Sequence, residues 1–241
     1  MSIHESSMSF SRPDGKECSG FYVEPAAGKG APGVVVIQEW WGLNDQIRGV
    51  ARRLAEAGFR ALVPDLYRGK IGLDAKEAEH LMNGLDFGDA ASQEIRGAVA
   101  TLKASSPRVG IVGFCMGGAL TLLSAVHVPE ADAAVTWYGF PPLDYIDATR
   151  IKAPIQGHFA MHDAFFPIAQ VELLEQKLRS AHVQFEFFKY DAQHAFGNET
   201  IENPTIPIKH DASAAALAWE RTLNFYKRHL LETAPMARSI S

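Results

Sequence analysis

Residues 108–125 read RVGIVGFCMGGALTLLSA and set Cys115 between Gly113 and Gly117. A short apolar run leads in, and a run rich in Ala and Leu leads out. Gly-x-nucleophile-x-Gly between a strand and a helix is a nucleophile elbow. The turn is sharp and the nucleophile's backbone strained, so the flanking positions must be glycine to leave room for neighbouring strands. The thiol then stands at a helix N-terminus, where the dipole favours negative charge. The N–H of Met116, the next residue, points at a developing oxyanion. Such a thiol does acyl transfer through a thioester. The chain has no G-x-S-x-G, so no serine competes for the role.

A thiol nucleophile needs a base, and the base needs an orienting acid. Downstream, APIQGHFA runs into MHDAFFP and places Asp163 just past a strand end; VQFEFFKY runs into DAQHAFG and places His194 just past the next. The chain order nucleophile, acid, His is a known arrangement of such triads. Carboxyl ends of parallel strands are where catalytic side chains collect. His194 is expected to move protons, and Asp163 to fix its tautomer and stabilise the imidazolium.

These positions make sense only on a particular scaffold. Strands are expected at 20–24, 33–37, 60–65, 108–113, 131–139, 153–160 and 183–190. Helices are expected at 45–58, 74–85, 89–104, 117–126, 167–181 and 213–230, those at 74 and 89 each opened by a capping Asp. Strands alternating with helices imply a mostly parallel sheet covered on both faces. The runs at 34–37, 61–63 and 109–112 are almost wholly apolar, as in strands buried on both sides. No internal repeat or linker interrupts residues 20–230. One α/β domain without a large cap is expected over 1–241, with its core at about 8–231 and frayed ends at about 1–7 and 232–241.

Composition sets the outer limits. The formal net charge of the 241 residues is -5, which argues against a nucleic-acid or anionic-membrane partner. No apolar run approaches a membrane span, and the N-terminus lacks a signal-peptide pattern. A cytoplasmic protein, monomeric or a small homo-oligomer, is expected. Two cysteines, Cys18 and Cys115, do not make a disulfide framework, and no cofactor is expected. GKGAPG (28–33) spells a dinucleotide fingerprint but precedes a strand instead of following one, so it reads as a turn. HFAMHD offers His158, His162 and Asp163 to a metal, and a metallohydrolase is the second chemistry to test. On a strand-to-loop segment, however, i and i+4 do not share a face.

The chain resembles the dienelactone hydrolase family over about residues 10–230. DGKECSGFYVEP is similar to the family's opening hairpin. VVVIQEWWGLNDQIRGVARRLAEAGFRALVPDLYRGK resembles its Q-E-x-x-G-x-N and P-D-L-Y stretch. GFCMGG, HDAFFP and QHAFGN resemble its nucleophile, acid and base segments. The resemblance implies an α/β-hydrolase fold and a triad of Cys115, Asp163 and His194. It also implies a fourth player, Glu39, and a second oxyanion N–H from Trp40 beside that of Met116. Glu39 ends an apolar strand, so it should lie near the sulfur. A negative charge there disfavours the thiolate, and on substrate binding Glu39 is expected to rearrange, take the thiol proton and so arm Cys115.

Two arginines that the family uses to hold a substrate carboxylate are missing. Asn198 occupies one position; at the other, LDAKEAEHLMNG offers only Lys76 or His80. Aromatic residues crowd the expected rim instead: Trp40, Trp41, Trp137, Tyr138, Phe140, Phe165, Phe166 and Phe196. The expected substrate is therefore a neutral or aryl ester or lactone, not an anionic dienelactone. Dienelactone hydrolysis, phosphotriester hydrolysis as a side activity, and a non-catalytic ligand trap are the alternatives.

Overall fold

Strands β3 (Gly33–Ile37) and β5 (Val109–Phe114) are apolar and buried at every position, so they lie in the middle of the sheet. The computed structural model describes residues 2–28, 30–201 and 206–231. Its other strands are β1 (Ile3–Ser11), β2 (Glu17–Pro25), β4 (Arg60–Pro64), β6 (Ala133–Trp137), β7 (Ile155–Ala160) and β8 (Phe185–Tyr190). All eight join one sheet in the order β1-β2-β4-β3-β5-β6-β7-β8. The β1–β2 and β2–β4 pairs are antiparallel, and the rest, from β4 to β8, run parallel. The carboxyl ends of β3, β5, β7 and β8 therefore share one edge, the edge that needs Glu39, Cys115, Asp163 and His194 together. This is an α/β-hydrolase fold.

Side-chain alternation explains how both faces are covered. Val34 and Val36 turn to a core shared with α1 (Asp45–Glu56) and α7 (Ala212–Tyr226). Val35 and Ile37 turn the other way, to α4 (Arg96–Lys103) and α5 (Met116–His127). The second side of α5 packs with α6 (Ile168–Ser180). The helix α2 (Ala75–Asn83) opens at Asp74, whose side chain accepts from Glu77 N. Among the described residues no helix is long and apolar enough to cross a membrane.

Two expectations are corrected. Residues 3–7 are not frayed: they belong to β1, paired with β2 from Ile3–Pro25 to Ser11–Glu17. The strand is mostly exposed and polar, so backbone pairing at the sheet edge holds it, not an apolar pattern. The frayed end expected at 232–241 lies outside the described residues, as does Lys29 of the GKGAPG turn. The helix expected from Asp89 starts earlier, at α3 (Phe87–Asp89), and runs through a π-helical segment (Ala90–Ile95) into α4. Its cap is Asp86. Asp89 instead joins Asp14 and Glu94 around the buried guanidinium of Arg12, tying the β1–β2 turn to that segment.

Candidate active site

Cys115 has φ 54° and ψ −114°, a left-handed conformation that costs a non-glycine residue about 1–3 kcal/mol. The surroundings enforce it. Its N–H donates to Trp137 O at 3.0 Å, and its C=O accepts from Gly118 N and Ala119 N. A Cβ on Gly113 would sit 1.9 Å from Gly117 O, and one on Gly117 would sit 2.4 Å from Ile37 O. The first glycine thus makes room for the turn itself, and only the second for a neighbouring strand. A third glycine, not singled out by sequence, matters as much: a Cβ on Gly139 would lie 2.0 Å from Cys115 O. Gly139→Ala is expected to destabilise the fold by about 2–3 kcal/mol, since backbone cannot yield as a side chain does. The check is the urea midpoint at unchanged m.

His194 follows β8 and reaches the sulfur. Its Nε2 lies 3.2 Å from Cys115 Sγ, and its Nδ1 lies 2.7 Å from Asp163 Oδ2. The other Asp163 oxygen, Oδ1, accepts from Phe165 N at 2.8 Å and Phe166 N at 2.9 Å. His194 is 3% exposed. Phe166 stacks on it, Phe165 packs at 4.9 Å and Tyr138 meets it edge-on at 5.2 Å. Burial opposes charge on this ring. Once Cys115 is ionised, its charge and the carboxylate of Asp163 outweigh burial and lift the His194 pKa to about 10.

Glu39 sits past the end of β3 with both carboxylate oxygens occupied. Tyr138 Oη donates to Oε1 at 3.1 Å, and Asn198 Nδ2 donates to Oε2 at 2.5 Å. Burial pushes its pKa up, against the two donors and the charge of His194. Asn198 in turn accepts from Thr200 N and Oγ1 through Oδ1, which fixes which end of its amide faces Glu39.

A cavity of about 430 Å³ opens over the sulfur. Cys115, His194, Glu39, Trp40 and Met116 meet in it. Met116 is the first residue of α5, so its N–H has no partner one turn back in the helix. Trp40 N likewise has no backbone acceptor among the described residues. Trp41, Phe140, Phe165 and Phe166 line the walls. Trp137, Tyr138 and Phe196 do not, and this corrects the sequence reading. They are 2%, 0% and 0% exposed and pack together in the core beneath the site. Their positions near strand ends were right, but their side chains turn inward: Trp137 Nε1 donates to Thr222 on α7. Asn198 is also no wall residue, being spent on Glu39.

The pattern His158, His162, Asp163 does not converge. His158 is buried among Tyr190, Gln156 and Thr222; His162 is exposed and pairs with Asp191; Asp163 holds His194. Among the described residues no group of three His, Cys, Asp or Glu side chains is placed to hold a metal ion.

Known proteins resemble this chain. The model of the dienelactone hydrolase family matches residues 18–230. The chain belongs to the dienelactone hydrolase family. A relative from Aquifex pyrophilus, "Protein usf", is 34% identical, covering 90% of this chain and 96% of its own. A Salmonella typhi relative described as "Putative carboxymethylenebutenolidase" is also 34% identical, over 89% of this chain and 84% of its own. Among solved structures, a dienelactone hydrolase-like promiscuous phosphotriesterase from metagenomic libraries superposes with TM-score 0.83 at 27% identity. It covers 93% of this chain and 98% of its own. This dienelactone hydrolase-family chain is therefore a hydrolase of esters or lactones.

Within that family its cavity has an unexpected charge. Neither Lys76 nor His80 lines it; the α2 residues that do are Glu79 and Met82, with Phe87 of α3 beside them. His80 lines a separate polar cleft with Arg68 and Lys70. Sequence reasoning missed Glu79 and Met82. Their i, i+3 spacing puts them on one helix face, but nothing local shows which face of α2 meets the cavity.

Proposed function

We propose that this protein hydrolyses small neutral or aryl carboxylic esters or lactones, with Cys115 as nucleophile, His194 as acid and base, and Asp163 as its orienter. The 3.2 Å contact between His194 Nε2 and Cys115 Sγ carries this reading. The sulfur gives its proton to Nε2 and attacks the carbonyl carbon. The Trp40 and Met116 N–H groups hold the oxyanion. Collapse breaks the C–O bond, and the leaving oxygen takes the proton from Nε2. Water then gives a proton to His194 and attacks the thioester; the thiolate leaves, and the acid departs. Apolar walls and the lack of a lining Lys or Arg among the described residues support a substrate without a carboxylate. A panel of anionic lactone, neutral lactone, aryl ester and phosphotriester, ranked by kcat/KM, tests this; preference for the anionic lactone overturns it. The phosphotriester is included because the oxyanion donors could hold a phosphoryl oxygen, and a structural relative bears that activity in its name.

Glu39 gates the thiol in this proposal. His194 draws the proton from sulfur, and the Glu39 charge opposes that separation until substrate displaces it from Tyr138 and Asn198. Glu39→Gln fits the same space: its oxygen can accept from Asn198, and its NH2 can donate to Tyr138. Iodoacetamide alkylation of Cys115 at neutral pH is expected to rise severalfold in Glu39→Gln, and an unchanged rate would remove the gate. Stability should move as well. Burial raises the folded Glu39 pKa above its ordinary 4.5, so the folded state holds that proton more tightly than the unfolded chain does. Stability is then lost as pH rises above that value. Relative to wild type, Glu39→Gln should gain stability as pH rises and lose that advantage near 4.5, read by urea denaturation at several pH values.

A further inference from the structure

We propose that the cavity selects esters bearing a cationic group, and that Glu79 is the specificity-determining residue. This rests on the ester-hydrolase reading above and narrows its substrates without a carboxylate, ranking those with a cationic end above neutral ones. The cavity holds two carboxylates, and no Lys or Arg lines it among the described residues. They are not equivalent. Glu39 is buried with both oxygens occupied. Glu79 is exposed on α2 and makes no ion pair among the described residues. It adds a solvent-exposed carboxylate, without an ion pair among the described residues, to the lining of the cavity.

The walls suit the same ligand. Trp40, Trp41, Phe87, Phe140, Phe165 and Phe166 surround the space, and Trp40 and Trp41 meet edge to face at 5.0 Å. Aromatic faces attract a weakly hydrated cation such as a quaternary ammonium, while a carboxylate gains nothing from them and would be repelled by Glu79. The two effects have one sign. The orientation of α2 makes the arrangement specific. Its basic candidates lie elsewhere, Lys76 lining neither space and His80 lining the polar cleft, while the acid Glu79 is among the residues that line the cavity. The substrate would thus place its carbonyl at Cys115 and its ammonium end toward α2.

Three 4-nitrophenyl esters of equal chain length test this: 5,5-dimethylhexanoate (neutral), 4-(trimethylammonio)butanoate (its cationic isostere) and glutarate (anionic). Wild type is expected to rank them cation, neutral, anion by kcat/KM. Each step should be about fivefold, the size of one exposed charge contact. The spread should shrink as salt is raised. In Glu79→Gln the cation-to-neutral ratio should fall toward one, and Glu79→Arg should put glutarate ahead of the cation. A structural role for Glu79 would scale all three esters together and leave the ratios alone. Glutarate equal to or ahead of the cation in wild type, or a ratio unmoved by Glu79→Gln, overturns the proposal. The corresponding amides, titrated by tryptophan fluorescence, report the same charge order without turnover. Loss of hydrolysis would thus count against the ester-hydrolase reading, while the order of binding still decides the charge preference.

Discussion

Cys115→Ala is expected to lower kcat/KM for an aryl ester by about 10⁴-fold or more, because in the proposed mechanism the sulfur forms the covalent intermediate. The residue keeps its Cβ and its left-handed backbone, so the fold should survive, with a far-UV spectrum like that of wild type. Cys115→Gly separates chemistry from strain. It should be as inactive, yet more stable, since glycine pays no penalty at φ 54°. Acid-quenched wild type incubated with substrate should carry the mass of one acyl group, and the Ala variant none. Activity within tenfold of wild type in Cys115→Ala would mean that the sulfur is not the nucleophile.

Asp163→Asn should cost about 10³- to 10⁴-fold in kcat. A Cys–His pair can often work with an amide as its third member, because an amide oxygen can accept from the ring. Here that orientation is blocked. Oδ1 of Asp163 is already claimed by Phe165 N and Phe166 N. An Asn must keep its oxygen there and turn its NH2 toward His194 Nδ1. The ring would then accept at Nδ1 and carry its proton on Nε2, where it cannot take one from sulfur. The pKa of His194, now held at about 10 partly by that carboxylate, should fall, and a histidine-edited NMR titration would report it. Near-normal kcat in Asp163→Asn would show that the amide flips and the turn gives way.

Residues that follow their own strands were legible in the sequence: Cys115 after β5, Asp163 after β7 and His194 after β8. Strand, turn and chain order fix such positions almost without tertiary information. The glycines at 113 and 117 were legible for the same reason, whereas Gly139 was not, because its neighbour is 24 residues away in the chain. The cavity wall was only half legible. Closeness to a strand end says nothing about which way a side chain turns, so Trp137, Tyr138 and Phe196 point to the rim in sequence yet fill the core. Glu79 and Met82 depend on how α2 is rotated against the sheet, which no local pattern encodes. Strand β1 was illegible for a different reason: its polar, exposed residues carry no periodic signal, and only the hairpin register reveals it.

Because Phe165 and Phe166 hold the acid with their own amides while their rings pack on His194, that loop is a poor place for selection to retune what the enzyme accepts. A change of backbone there would perturb the imidazole along with the fit of the ligand. Diversification among descendants of this chain should therefore accumulate on α2 and at Phe140–Pro142, which line the cavity without holding Asp163 or packing a ring on His194. A library randomised at 79, 82 and 140 should yield many active clones with new preferences, and one at 165 and 166 mostly dead ones.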